Sequence, residues 1–183
     1  MSRASESFWY VKRWIINLYI GIPLLILVAV LQSSILPQIR IFGLVPNLML
    51  LTVVAWSFRR GPNDGIVWGM IGGLMIDLAS GAPLGISPLP LMIAALVVGA
   101  GRARIFSGNL VLPVIISLLT LALYQVLYVV LLMLVGQPVS WEEGVLRVAA
   151  PLVFLNLVLM PIVYIAISWL ARLTEGSRVR LGR

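Results

Sequence analysis

Across residues 109–135 the chain carries no charged side chain. A run of that length constrains the fold more than any other feature of the sequence. In lipid, each backbone N–H and C=O must find its partner within the protein, which a single apolar segment achieves only as a helix. The whole chain is of the same kind: 61% of its 183 residues are hydrophobic and 10% are charged, with a mean hydropathy of +1.10. A water-soluble domain of this size has no use for so much apolar surface, so lipid is the expected solvent. There is no histidine and no cysteine. Disulfides, thiolate nucleophiles, Cys/His zinc sites and imidazole bases are thereby excluded together.

The hydropathy pattern predicts a single all-α membrane domain over residues 1–183, with six transmembrane helices at about 14–35, 42–58, 65–80, 87–100, 109–135 and 150–171. The first run is longer than a secretory-signal core and no small-residue cleavage site follows it. Gly21-Ile22-Pro23 invites a kink near its start, Pro46 falls in the first turn of the second helix, and Pro88 and Pro90 open the fourth. Helices two to four are short against a hydrocarbon core of roughly 30 Å. They are expected to thin the bilayer locally or to break at membrane depth behind other helices.

Basic residues set the orientation. With both termini in the cytoplasm, the inner segments hold Arg3, Lys12, Arg13, Arg59, Arg60, Arg102, Arg104, Arg172, Arg178, Arg180 and Arg183, and the outer ones only Arg40 and Arg147. That asymmetry follows the positive-inside rule and supports an even helix count. Trp9, Trp14, Trp56, Trp68 and Trp169 fall near the inner ends, where an aromatic belt belongs. The one sizeable outer segment, 136–148, would anchor through Trp141 and present Glu142, Glu143 and Arg147 to water. Residues 172–183 form a basic cytoplasmic tail suited to anionic lipid.

Within GIVWGMIGGLMIDLASGAPLG, glycines recur every fourth residue at Gly65, Gly69, Gly73, Gly81 and Gly85, and Asp77 occupies the missing place. Residues four apart share a helix ridge. Gly65, Gly69 and Gly73, widened by Gly72, therefore make a groove for close helix packing, filled either from within or by a partner's helix. A lone carboxylate at membrane depth costs about 2.5–3.5 kcal/mol and needs a partner. No Lys or Arg lies in a predicted helix core, so the candidates are Ser80, Ser87, Gln125, Asn156 or backbone N–H groups in the broken stretch that follows. Gly81, Pro83 and Gly85 suit a helix that stops and reverses. Asp77 either pins this turn or carries a functional role.

Tyr124, Gln125 and Tyr128 on the fifth helix, and Asn156 on the sixth, read as interhelical hydrogen bonders or as the lining of a ligand cavity. Arg59, Arg60, Arg102 and Arg104 read as topology determinants or as contacts to acidic lipid or a cytoplasmic filament. Nothing suggests nucleic-acid binding, a metal or a cofactor. An enzyme is not expected: Glu142 and Glu143, one apart, do not face a common site.

The run from 43 to 105 resembles the MreD family of bacterial rod shape-determining membrane proteins. The residues that carry the likeness are Pro46-Asn47-Leu48, Arg59-Arg60-Gly61, Gly69, Gly73-Leu74, Asp77-Leu78, Ser80-Gly81, Pro83-Leu84-Gly85, and then Asn156 and Pro161. Asp is common in the family where this chain has Asn47. The resemblance implies a non-catalytic scaffold in the bacterial cytoplasmic (inner) membrane. It would bind MreC and help link MreB filaments to wall synthesis by a RodA-type glycosyltransferase and a penicillin-binding transpeptidase. The alternative is a substrate-binding S component of a vitamin transporter of the energy-coupling-factor type, similarly sized and six-helical, and the two families are expected to share a fold. Such components often carry Ala-x3-Ala on their first helix, and INLYIGIPLLILVAVLQSS lacks it.

Overall fold

The computed structural model describes residues 21–39, 43–105, 111–139 and 141–175. Among these residues the architecture is all-helical, in six helices. Helix α1 is described over Gly21–Gln38; it widens to π-type turns over Leu31–Ile35 and tightens over Leu36–Gln38. Helix α2 is Leu48–Arg60, α3 is Pro62–Ser80, α4 is Pro88–Ile105 and α5 is Val111–Leu134. Helix α6 enters through wide turns at Glu142–Ala149 and continues over Ala150–Glu175, with Pro161 inside it.

Local chemistry explains these bounds. Pro46 disfavours a helical Val45, and Asn47 then caps α2, so that helix begins at Leu48 and not near 42 as the apolar run suggested. Pro46 accordingly lies in the lead-in and not in the first turn. Gly61, at φ 99°, lets α2 and α3 join with almost no loop, and its N–H donates to Ser57 O at 2.9 Å. Pro62 then opens α3, three residues before the expected start, with Asp64 in the first turn favouring the helix dipole. The start of the last helix is also earlier than the expected 150: from Glu142 onward the chain is helical and feeds α6 directly. The outset of the first helix at 14–20, Trp9, Trp14, Arg40 and the tail beyond 175 lie outside the described residues.

Helix α2 is the axis of the bundle. Every residue from Met49 to Phe58 is buried, and α1, α3, α4 and α6 surround it. A helix apolar all round has no face for solvent of either kind and belongs inside. The peripheral helices are the long ones. Gly21–Gln38, Pro113–Leu134 and Ala150–Leu170 are long and apolar enough to cross a membrane. Their outward sides carry large apolar groups, among them Leu27, Leu119, Phe154, Val158, Ile162 and Ile165.

Candidate functional site

The glycine row is filled by α4. A Cβ added at Gly73 would sit against Pro88 Cα and 2.5 Å from Pro88 N, and one at Gly69 would lie 2.9 Å from the Leu91 carbonyl carbon and oxygen. At Gly65 it would strike the Ser57 hydroxyl of α2. Two backbones thus meet with nothing but hydrogens between them, which maximises dispersion in a setting where lipid supplies no hydrophobic force between helices. Gly72 faces the other way, towards Met49 and Leu25. No partner helix can enter the Gly69–Gly73 face while α4 occupies it.

Asp77 closes the same junction. It is 1% exposed. Its Oδ2 accepts from Gly85 N–H at 2.8 Å, and Ser87 N–H is shared between Oδ1 at 3.2 Å and Oδ2 at 3.3 Å. The carboxylate therefore takes the place of the next helical turn for a chain that reverses through Gly81 (φ 69°) and Gly85 (φ 100°), both in the left-handed region. Of the partners the sequence offered, backbone N–H groups are the ones used. Ser80 is exposed at the end of α3, Pro83 helps turn the chain, and neither Gln125 nor Asn156 bonds to Asp77.

A second polar node lies at the start of α2. Asn47 Oδ1 accepts from Leu50 N–H at 2.9 Å and from Gln32 Nε2 at 3.1 Å. Asn47 N–H donates to Asn156 Oδ1 at 3.0 Å, and Asn47 Nδ2 donates to the Tyr124 hydroxyl at 2.9 Å. Gln32 Oε1 takes Met49 N–H at 2.8 Å. Side chains from α1 and α6 thus satisfy helix-start N–H groups that would otherwise be orphaned in an apolar interior. One asparagine ties α1, α2, α5 and α6 together. Asn156 Nδ2 is the donor left without a partner there.

Helix α5 lies against both nodes. Tyr124 and Tyr128 stack with ring centroids 5.9 Å apart, and Tyr128 lies beside Ser87, whose N–H Asp77 holds. Asn47, Asn156, Tyr124 and Asp77 were each visible in the sequence; the structure gathers them into one layer with Tyr128 and Ser87. Gln32 was missed, although a lone amide in an apolar run was a usable signal.

The tryptophans correct another expectation. Trp56 and Trp68 are not in a lipid-facing belt. They are 1% and 3% exposed and stack at 3.8 Å between centroids, with the Arg60 guanidinium 5.5 Å from the Trp56 ring. Arg60 and its neighbour Arg59 stand in the last turn of α2, where cations complement the helix dipole. Trp169, at 65% exposure, does face outward. The backbone places Arg102 and Arg104 in the last turns of α4. Among the described residues no group of three or more acidic, His or Cys side chains could hold a metal ion.

No curated protein and no solved structure matches the chain. The family model for the rod shape-determining protein MreD does match it, over residues 12–174. That span takes in the six described helices, all but the last residue of α6, with both polar nodes, and the chain belongs to the MreD family.

Proposed function

We propose that this protein is a multi-pass, six-span scaffold of the bacterial inner membrane. In this reading both termini are cytoplasmic, the protein binds MreC, and it helps couple MreB to peptidoglycan synthesis by a RodA-type glycosyltransferase and a penicillin-binding transpeptidase. Membership of a rod shape-determining family supplies the biological setting. The observation that favours a scaffold over an S-like vitamin carrier is what buried Asp77 and half-buried Asn47 and Gln32 do. Asp77, Asn47 and Gln32 are engaged by the protein's own backbone at a turn and a helix start. Groups so engaged fix shape; a carrier keeps some of them for its substrate.

Since α4 fills the glycine row, this reading places an MreC helix on an outward face of the bundle, and the long helices α5 and α6 are the first to test. The test is capture of MreC by the purified protein in detergent, with Leu119→Trp on α5 and Ile162→Trp on α6 as surface variants. Capture by the parent chain, weakened tenfold or more by one of these in well-folded protein, supports the scaffold reading. Absence of capture by the parent, together with tight binding of a vitamin, would favour the carrier.

A further inference from the structure

We infer that the end of α2, the α2–α3 turn and the last turns of α4 together form a site for the headgroup of an anionic phospholipid. The inference rests on the six-span reading, which puts this end of the bundle at the cytoplasmic surface. Arg59 and Arg60 close α2, while Arg102 and Arg104 come after all of α3 and most of α4. A close backbone contact brings the two pairs to one place. A Cβ added at Gly99 would lie 2.5 Å from Pro62 Cα and N and 2.9 Å from the Gly61 carbonyl carbon. Gly61 directly follows Arg60, and Arg102 follows Gly99 by a rise of about 4.5 Å along α4.

The register of α4 gives its two arginines different places. Arg102 continues the ridge of Ala95 and Gly99, which packs on Gly65 and the α2–α3 turn. Arg104 continues the ridge of Leu96 and Ala100, both exposed, on the lipid side of the helix. That ridge offers an acyl chain a path ending at a cation, with the remaining arginines across the turn. Arg60 is held in advance, its guanidinium 5.5 Å from the Trp56 ring on which Trp68 stacks. Asp64, in the first turn of α3, is the one acidic residue in these turns, against four arginines. Orientation in the membrane would be served by arginines anywhere in the inner segments. Two pairs converging on one glycine-tight contact, at the head of an exposed apolar ridge, match a ligand with a phosphate and a tail.

The test is thermal unfolding of the full chain in detergent with added phosphatidylglycerol, phosphatidylcholine or glycerol 3-phosphate. Phosphatidylglycerol should raise Tm by about 5 °C, and phosphatidylcholine by less than half as much. Glycerol 3-phosphate, which has the anionic group without the tail, should leave Tm unchanged. The double variant Arg102→Gln/Arg104→Gln should lose most of the phosphatidylglycerol shift. Arg59→Gln, from the other segment, should lose about half of it, and Arg172→Gln on α6 should keep it. A phosphatidylglycerol shift no larger than that of phosphatidylcholine, or one that survives both junction variants, would overturn the site. A full shift with glycerol 3-phosphate would overturn the lipid as its ligand. The leaflet is read separately, from Asn63→Cys in the otherwise cysteine-free chain. A membrane-impermeant maleimide should label it in inverted vesicles and not in spheroplasts. Labelling in spheroplasts would overturn the cytoplasmic placement and the six-span orientation with it, a failure the detergent assay, which has no sides, does not share.

Discussion

The α3–α4 junction and the outward side of α6 are both apolar and both belong to helices, yet they behave as opposites. At the junction, Gly69 and Gly73 bring two backbones together until a single added methyl has no room. On α6, Phe154, Val158, Ile162 and Ile165 project bulk that no described residue covers. The difference shows how a lipid-soluble protein distinguishes inside from outside. Hydrophobicity cannot do it, because the solvent is as apolar as the core. Small residues and self-satisfied polar groups mark the interior, and large aliphatic groups mark the lipid face.

Substitutions at the two places should therefore differ sharply. The largest effect is expected at the junction. Gly73→Leu drives a side chain into the Pro88 backbone, and even Gly73→Ala should cost more than the roughly 1–3 kcal/mol of ordinary overpacking. Gly72→Ala meets side-chain atoms and no backbone, the flexible Met49 Sδ at 2.7 Å and Leu25 Cδ2 at 3.3 Å, and should be milder. Thermal unfolding in detergent ranks the pair, and equal melting temperatures would break the comparison.

Next comes the polar node. Asn47→Leu removes the acceptor for Leu50 and Gln32 and the donor to Tyr124, and should destabilise by about 2 kcal/mol or more. Asn47→Asp should be gentler, since a carboxylate keeps the cap and the Tyr124 hydroxyl can turn to donate. The same unfolding assay, repeated in a Tyr124→Phe background, should show that tolerance disappear. Tyr124→Phe alone leaves Asn47 Nδ2 without its acceptor and should cost about 1 kcal/mol. The smallest effect belongs to the lipid face, where Ile162→Ala should stay within about 0.5 kcal/mol.

The sequence made the α3–α4 turn legible because its signals are local. Gly65, Gly69, Gly73 and Asp77 share one ridge, and Gly81 and Gly85 sit where positive φ is needed. The Asn47 node was only half visible. Asn47, Tyr124 and Asn156 stood out singly, but no periodicity connects positions separated by 77 and 109 residues. The start of α2 was misplaced because Ile41 to Val45 are apolar enough for a helix, and the restriction from Pro46 outweighed them. The tryptophans misled for a different reason. Indole suits an interfacial belt and a packed core alike, and only the meeting of Trp56 with Trp68 decides between them. The start of α6 was placed too late because the charges at 142–147 interrupt the apolar run, while the helix continues through them.

The account stands on Asp77 as a structural pin and not as a charge for a ligand or proton, and isosteric replacement separates these roles. Asp77→Asn keeps an oxygen that, placed at Oδ2, reaches both Gly85 N–H and Ser87 N–H; Asp77→Ala keeps none. The decisive measurement is rod-shape complementation by the two variants, normalised to the amount of folded protein in the membrane. The account predicts that Asp77→Asn retains most of the function and that Asp77→Ala loses it. Asp77→Asn as defective as Asp77→Ala, at wild-type levels of folded protein, would contradict it.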